Sequence, residues 1–428
     1  MDTIFALASA PGKAGVSVIR ISGPEAVDAA FRLAGSLPEP RAAGLRVLRG
    51  ASGEKIDEAL VIRFEEKASF TGEAVVELQT HGSIAVVNAL LGELGRMDGL
   101  RLAEPGEFTR RALANGRLDL AQVEGLADLI ESETEVQRQQ ALRLFSGGLG
   151  EKAEGWREKL VRASALLTVT IDFADEEVPV DVNPEVLALV DDVAREMQAQ
   201  IDGFGAAERI RSGFEVAIIG APNVGKSTLL NALAGRDAAI TSEVAGTTRD
   251  VIEVRMELAG LPVTVLDTAG LRETEDQVEK IGVARARARA EAADLRVFLV
   301  EDGVEPEFTP GKGDIVLRAK ADMLADISGA VSGKTGQGVS DLVEQIGRRL
   351  QDKTARAGLA TRERHKAAME KCLQSLANAR SLIASEAEST DIAAEELREA
   401  LAALNLLIGR VDIETILDDV FSSFCLGK

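Results

Sequence analysis

The chain has 428 residues, 46% of them hydrophobic and 28% charged, and its formal net charge at pH 7 is −21. This composition predicts a soluble globular protein of about two to four domains, and it excludes a membrane-spanning helix because no apolar stretch reaches about 18 residues. The negative charge, the absence of tyrosine and the single tryptophan argue against a broad nucleic-acid-binding surface, which needs basic residues and stacking aromatic rings.

The N-terminus and the cysteines predict a cytoplasmic protein. Asp2 is acidic and the apolar run after it is too short for a signal peptide. The two cysteines, Cys372 and Cys425, are too few for a disulfide framework, which fits a reducing compartment. Cys425 is fourth from the end, but Gly427 and Lys428 do not suit a prenylated tail.

Residues 1–117 predict a small α+β domain. Three β-rich runs predict strands: VSVIRIS, ALVIRF and VVELQT. Two runs with apolar residues at helical spacing predict helices: PEAVDAAFRLAG and IAVVNALLGELGRM.

Long helices are predicted on both sides of an α/β segment. Residues 118–207 form the first helical part, with an apolar stripe of Val123, Leu126, Ala127 and Ile130. Residues 208–353 alternate strands and helices, which is typical of a doubly wound α/β domain. Residues 354–428 are again predicted to be helical. The helical spacing of the apolar residues around Cys372 predicts that this cysteine lies in the core. The α/β domain is therefore predicted to be inserted into an all-α helical domain.

The strand FEVAIIG runs directly into GAPNVGKST, which fits the pattern G-x-x-x-x-G-K-[ST] from Gly220 to Ser227. Such a loop turns backbone N–H groups toward phosphate oxygens, the lysine reaches the β and γ phosphates, and the serine hydroxyl binds Mg²⁺. The following residues are therefore predicted to bind nucleotide: Asn223, Val224, Gly225, Lys226, Ser227 and Thr228.

Three further segments predict that the nucleotide is GTP. DTAG (Asp267, Thr268, Ala269 and Gly270) supplies a metal-side aspartate. In AKAD, Lys320 and Asp322 are predicted to bind the nucleotide, and the Asp322 carboxylate can accept two hydrogen bonds from guanine. SGK (Ser332, Gly333 and Lys334) completes the base pocket. This set resembles that of translation-factor-type GTPases, except that Ala319 replaces the usual asparagine and removes a hydrogen bond worth about 1 kcal/mol.

The segment TSEVAGTTRD is predicted to be a switch that senses the γ-phosphate and Mg²⁺. Its nucleotide-binding residues are Ser242, Glu243, Val244, Ala245, Gly246, Thr247 and Thr248. Thr248 is the preferred Mg²⁺ ligand, and a polar loop without function is the alternative.

The local sequence does not identify the residue that positions the attacking water. Leu271 follows DTAG where many GTPases have glutamine, and an apolar side chain cannot orient water. The candidates are the charged residues of the next segment: Arg272, Glu273, Glu275, Asp276 and Glu279. For each of them, the plain alternative is a solvated charge without a catalytic role.

Over essentially its whole length the sequence resembles the bacterial tRNA wobble-uridine modification GTPases, the MnmE or TrmE family. The matching motifs are DTIFALASAPGKAGVSVIRISGP, SFTGEAVVELQTHG, PGEFTRRALANGRLDLAQVEGLADLI, GAPNVGKST, AGTTRD, DTAGLRETED and FCLGK. A phosphate-loop match alone explains only the central third of the chain.

The resemblance implies a folate-binding N-terminal domain that dimerises, a helical domain and an inserted GTPase domain. It also implies a flavoprotein partner that uses FAD, MnmG, with which family members add an aminomethyl or carboxymethylaminomethyl group at carbon 5 of the wobble uridine. The one-carbon unit comes from 5-formyl- or methylene-tetrahydrofolate. Contact with tRNA is expected largely through the partner.

By position, the resemblance assigns folate binding to Arg20, Glu77, Arg117 and Lys428, of which the arginines suit glutamyl carboxylates. It assigns K⁺ to Asn223, Ser242, Val244 and Thr247, and the attacking water to Glu279. K⁺ beside the phosphates neutralises charge that develops during phosphoryl transfer. For each arginine, the plain alternative is a surface salt bridge.

Two alternatives stay open. Cys425 is either a thiolate that relays the one-carbon unit, with Lys428 lowering its pKa, or a packing residue. The whole chain is either a modification enzyme or a GTP-dependent switch, such as a ribosome-assembly factor. Residues 1–117, which such factors lack, favour the enzyme.

Overall fold

The structure is a computed structural model that describes residues 2–172, 181–235, 252–267, 288–301, 309–385, 390–410 and 427. The chain folds as two compact units, one of Met1–Ala127 with Asn405–Lys428 and one of Asp128–Leu404. No helix in the described ranges combines the length and the hydrophobicity that a bilayer crossing requires.

The first unit contains a mixed six-stranded sheet. Its strands are β1 (Thr3–Leu7), β2 (Ala14–Ser22), β3 (Gly44–Arg49), β4 (Lys55–Phe64), β5 (Val75–Gly82) and β6 (Leu100–Leu102), in the spatial order β3-β4-β5-β2-β1-β6. Its helices are α1 (Ala26–Ala34), α2 (Ile84–Leu94) and α3 (Glu107–Ala114), after which α4 (Leu120–Glu131) begins. The three predicted strands and two predicted helices are present. β1, β3, β6 and α3 were not predicted from the sequence.

Apolar side chains of α1 and α2 pack on one face of this sheet. The core contains Phe5, Ile19, Ile21, Ala29, Leu33, Leu48, Val61, Leu78, Leu90 and Leu94. Because side chains alternate between the faces of a strand, the neighbouring residues Arg20 and Glu77 lie on the other face.

Helices form the first and last parts of the second unit. They are α5 (Glu135–Phe145), α6 (Gly148–Asp172), α7 (Asn183–Asp202) and α8 (Phe204–Ser212), and after the α/β segment α11 (Glu363–Ala384) and α12 (Thr390–Ile408). Cys372 on α11 is fully buried, and burial raises the pKa of its thiol to about 12. The prediction that Cys372 is a core residue is confirmed. The prediction of an apolar stripe on α4 was wrong at its last residue, Ile130, which is 41% exposed.

The α/β segment is a six-stranded sheet flanked by helices. Its strands are β7 (Phe214–Gly220), β8 (Ile252–Leu258), β9 (Leu261–Asp267), β10 (Leu295–Val300), β11 (Ile315–Ala319) and β12 (Ala330–Val331), and its helices are α9 (Lys226–Ala234) and α10 (Val339–Thr354). The order is β12-β11-β10-β7-β9-β8. All neighbours pair in parallel except the edge strand β8, which is antiparallel to β9. The carboxyl ends of β7, β9 and β11 therefore lie at one edge, where ligands bind in such folds.

Candidate functional site

The phosphate loop joins the end of β7 to α9 and is closely packed against β10. A Cβ atom on Gly220 would lie 2.6 Å from the carbonyl oxygen of Leu299 and 3.0 Å from Cγ1 of Val224, so only glycine fits. Asn223 and Gly225 have left-handed backbones, with φ of 62° and 110°. These turns direct the loop's backbone around the N-terminus of α9, which favours anions.

Lys226 is the first residue of α9 and is 6% exposed. Its ammonium group donates hydrogen bonds to the carbonyl oxygens of Gly220, at 2.7 Å, and Ala221, at 3.0 Å. The charge is therefore held over the loop where a phosphate group would lie. Ser227 and Thr228 follow on the exposed first turn of the helix.

Asp322 and Ser332, which the sequence predicts to bind the base, are neighbours in the structure. Asp322 lies in a 3₁₀ turn after β11, and Ser332 follows β12. The Ser332 hydroxyl donates a hydrogen bond of 2.6 Å to Oδ1 of Asp322, and chiefly for this reason the pKa of Asp322 lies below its ordinary value. The ionised carboxylate is an acceptor only, and its second oxygen remains available for a base.

The loop that carries Gly333 packs directly on the first turn of α9. A Cβ atom on Gly333 would lie 2.5 Å from the amide nitrogen of Leu229 and 2.6 Å from the carbonyl oxygen of Thr228. Gly333 thus lets the SGK segment approach the first turn of α9. The sequence analysis assigned Gly333 to base binding but did not predict this contact. The single feature of the sequence that could have indicated it is the glycine at position 333.

The remaining described residues of the predicted set lie at the rim or in the core. Lys320 has a left-handed backbone with φ 58° and pairs with Glu301, while Lys334 is exposed. Ala319 is 6% exposed and belongs to the apolar core of the sheet. The position where related GTPases carry asparagine is therefore apolar and closed to water here.

Several predicted residues lie outside the described part of the chain. They are Ser242, Glu243, Val244, Ala245, Gly246, Thr247, Thr248, Thr268, Ala269, Gly270, Glu279, Cys425 and Lys428, together with the side chain of Asp267. The alternative water-positioning residues Arg272, Glu273, Glu275 and Asp276 lie there too.

In the first unit, the predicted folate residues Arg20 and Glu77 are direct neighbours across β2 and β5. Nε and Nη2 of Arg20 lie 3.0 and 2.9 Å from Oε1 of Glu77. The guanidinium carbon also lies 5.7 Å from the ring centre of Phe70 and 5.6 Å from that of Phe108, within the range of cation–π contacts. Sequence reasoning missed both rings, although they lie in the motifs SFTGE and GEFTRR.

Gly427, the described residue of the C-terminal tail, lies beside this pair. Nη1 of Arg20 lies 3.4 Å from the carbonyl oxygen of Gly427. A Cβ atom on Gly427 would overlap the carbonyl oxygen of Leu7 and would lie 2.6 Å from Cα of Ala8. The penultimate residue of the chain therefore packs against the end of β1, and a larger residue does not fit there.

Arg117 is exposed in the turn after α3. Its Cγ atom lies 3.2 Å from the place that a Cβ atom on Gly72 would occupy, and Asn115 of the same turn donates a 2.7 Å hydrogen bond to the carbonyl oxygen of Thr71. The turn is thus attached to the loop that follows Phe70.

Comparison with known proteins gives matches over the whole chain. The description "GTP-binding protein TrmE N-terminus" matches residues 3–117, and "MnmE helical domain" matches residues 120–425. Proteins named tRNA modification GTPase MnmE from Roseobacter denitrificans, Dinoroseobacter shibae and Ruegeria pomeroyi are 58%, 60% and 59% identical, with 100% of this chain and 100% of each relative covered. The chain therefore belongs to the MnmE (TrmE) family.

Proposed function

We propose that the chain is a K⁺-dependent GTP hydrolase that acts in the modification of carbon 5 of the tRNA wobble uridine. The observation that carries the proposal is the contact of the Gly333 loop with Thr228 and Leu229. It brings the carboxylate of Asp322, which suits guanine, to the helix whose N-terminus suits phosphate.

The residues of the phosphate loop supply binding and charge. Backbone N–H groups around Gly225 donate to phosphate oxygens, and Lys226 transfers its hydrogen bonds from the loop carbonyls to the β and γ phosphates. The exposed Ser227 hydroxyl fits Mg²⁺, together with Thr248 and the Asp267 carboxylate, and the exposed Asn223 amide fits K⁺, together with Ser242, Val244 and Thr247. When bound, these ions would neutralise charge on the phosphates, and Glu279 orients the water.

The Arg20–Glu77 pair suits a one-carbon tetrahydrofolate as the second ligand. An arginine has five N–H donors, so Arg20 retains donors for a carboxylate after its bonds to Glu77 and Gly427. Glu77 is 18% exposed and its carboxylate accepts from the N–H edge of a pterin. Phe70 provides an aromatic surface, while Arg117 and Lys428 offer further positive charge for a glutamyl tail.

The partners follow from the same proposal. The chain works as a homodimer in the cytoplasm with an FAD-dependent flavoprotein, MnmG. Since the net charge is −21, tRNA is held largely by that partner. A ribosome-assembly factor, the alternative predicted above, has no counterpart of residues 1–117, and the match over residues 3–117 favours modification.

Wobble-nucleoside analysis of tRNA tests the function directly. A strain from which the gene has been deleted is expected to lose the modified wobble uridine and to regain it with the wild-type chain. Lys226→Ala removes the ammonium group over the phosphate loop, so this variant is expected not to restore the modification. Lys312→Ala, an exposed lysine before β11 that belongs to no predicted site, is the matched control. Unmodified tRNA in the strain carrying the wild-type chain would refute the proposal.

A further inference from the structure

Arg117 occupies a fixed place at the end of α3. Gly116 has a left-handed backbone, with φ of 65°, and its N–H group donates a hydrogen bond of 3.0 Å to the carbonyl oxygen of Leu113. The N–H group of Arg117 donates one of 2.8 Å to the carbonyl oxygen of Ala112. These two bonds form a glycine cap that commonly ends a helix. The backbone of Arg117 is therefore held by α3, while its exposed side chain pairs with no carboxylate in the described ranges.

Asn115, the residue at which this cap begins, joins the turn to the loop of residues 69–73. Its side-chain amide donates a hydrogen bond of 2.7 Å to the carbonyl oxygen of Thr71. The place of a Cβ atom on the next residue, Gly72, lies 3.1 Å from Cβ of Asn115 and 3.2 and 3.4 Å from Cγ and Cδ of Arg117. The aliphatic part of Arg117 thus lies against the loop, and the bond from Asn115 holds the loop there.

A buried network attaches the same loop to β2. The hydroxyl groups of Ser22 and Thr71 lie 2.8 Å apart, and Ser22 also donates a hydrogen bond of 2.7 Å to the carboxylate of Glu73. Both hydroxyl residues are fully buried, and Arg111 of α3 lies 3.1 Å from the same carboxylate. Ser22 is two residues after Arg20, so both side chains lie on one face of the sheet. Hydrogen bonds shielded from water therefore fix the loop relative to Arg20.

One loop thus contacts both arginines that are predicted to bind folate. Phe70 lies with its ring centre 5.7 Å from the guanidinium carbon of Arg20, and Gly72 lies against Arg117. Since these two loop residues are two positions apart, their Cα atoms are at most about 7 Å apart. The ring end of a folate suits Phe70 and Glu77, which leaves its glutamyl end for Arg117.

We propose that Asn115 is a positioning residue for the glutamyl end of the folate, because it holds Arg117 on the loop that also contacts Arg20. Asn115 itself does not touch the ligand. Without its bond to Thr71 the helix cap remains, but the turn loses its link to the loop. Arg117 must then be ordered when the ligand binds, and this ordering weakens the affinity. The inference rests on the folate site proposed above and adds to it a residue that determines recognition of the charged tail.

Calorimetric titration of the full chain with two ligands tests this role. The ligands are 5-formyltetrahydrofolate and its dimethyl ester, which has the same tail without the two negative charges. The wild-type chain is expected to prefer the free acid at least about tenfold, as a charge-assisted hydrogen bond to arginine predicts, and Arg117→Ala is expected to lose this preference. Asn115→Ala and Asn115→Leu, which cannot donate to Thr71, are expected to reduce the preference about three- to tenfold and to leave the affinity for the ester unchanged.

A double-mutant cycle separates positioning from a general structural role. In the Arg117→Ala background, Asn115→Ala is expected to cause no further change in either affinity. Asn88→Ala, from an exposed asparagine on α2, is the matched control. If neither ligand binds the wild-type chain, the folate site itself is refuted and this role with it. If the ligands bind but the wild type does not prefer the free acid, or Asn115→Ala keeps the full preference or weakens both ligands equally, the positioning role alone is overturned.

Discussion

Ser332 and Asp322 are joined by a hydrogen bond of 2.6 Å from the serine hydroxyl to Oδ1. Ser332 is 2% exposed, so a buried donor fixes an exposed carboxylate in one orientation. Since the bond lowers the pKa of Asp322, the group is ionised throughout the neutral range and acts as an acceptor. If the predicted base pocket is correct, base selection depends on these two residues, which follow β11 and β12.

The Asp322→Asn variant is expected to prefer xanthine to guanine nucleotides. The amide donates where the carboxylate accepted, and xanthine offers a carbonyl where guanine offers an amino group. Removing this charged acceptor is expected to weaken GTP binding at least about tenfold. Titration with fluorescent GDP and XDP measures the change, and Asp326→Asn, on the following loop, is the control. Unchanged selectivity would remove Asp322 from the base pocket.

Local sequence patterns predicted the helices and strands, whereas contacts between residues far apart in the sequence were not predicted. A buried strand followed by two glycines and a lysine specifies β7 and the phosphate loop by itself. The approach of Gly333 to Leu229, and of Phe70 and Phe108 to Arg20, depends on how separate segments pack. Helical periodicity also placed Ile130 on an apolar stripe, but periodicity does not show whether a neighbour covers that face.

The Glu77→Gln variant is expected to lose affinity for 5-formyltetrahydrofolate by about tenfold, because charge-assisted hydrogen bonds to Arg20 and to the ligand become neutral ones. Calorimetric titration of the full chain measures the affinity, and the GTP hydrolysis rate is expected to stay unchanged. Glu58→Gln is the matched control, since Glu58 is exposed on the adjacent strand and pairs with Lys55. Equal folate affinities for the two variants would contradict a role of Glu77.

Acid sensitivity is expected from the Glu107 cluster of the first unit. Glu107 pairs with Arg101 at 2.5 Å and Arg111 at 3.0 Å. Burial opposes its ionisation, but the hydrogen bonds from these arginines outweigh it and hold the pKa of Glu107 below its ordinary value. A lowered folded-state pKa gives stability that is present above the unfolded value of about 4.3 and is lost as pH falls through the folded value.

Glu107→Ala is therefore expected to cost about 2 kcal/mol at pH 7, because it removes charge-assisted hydrogen bonds of the largely buried Arg111, which keeps Glu73 and Asp2 as partners. The cost is expected to shrink as the pH falls below about 4. Denaturant unfolding at several pH values measures this, with Asp28→Asn, from the exposed Arg32 pair, as the control. A cost that is independent of pH would show that the charge of Glu107 does not stabilise the fold.

The last prediction concerns the water-positioning residue, because Leu271 cannot supply it. Glu279 follows DTAG on the segment that the resemblance assigns to this role, and its carboxylate can orient a water once K⁺ has neutralised the phosphates. A residue that acts only in the transition state lowers turnover and leaves nucleotide affinity intact. Glu279→Ala is therefore expected to bind GTP normally and to hydrolyse it about 10²-fold more slowly in K⁺. Glu273→Ala and Glu275→Ala are expected to stay near wild type, and Na⁺ in place of K⁺ is expected to slow all three. Single-turnover hydrolysis with binding measured separately decides it: near-normal turnover in Glu279→Ala returns the role to Arg272 or Asp276.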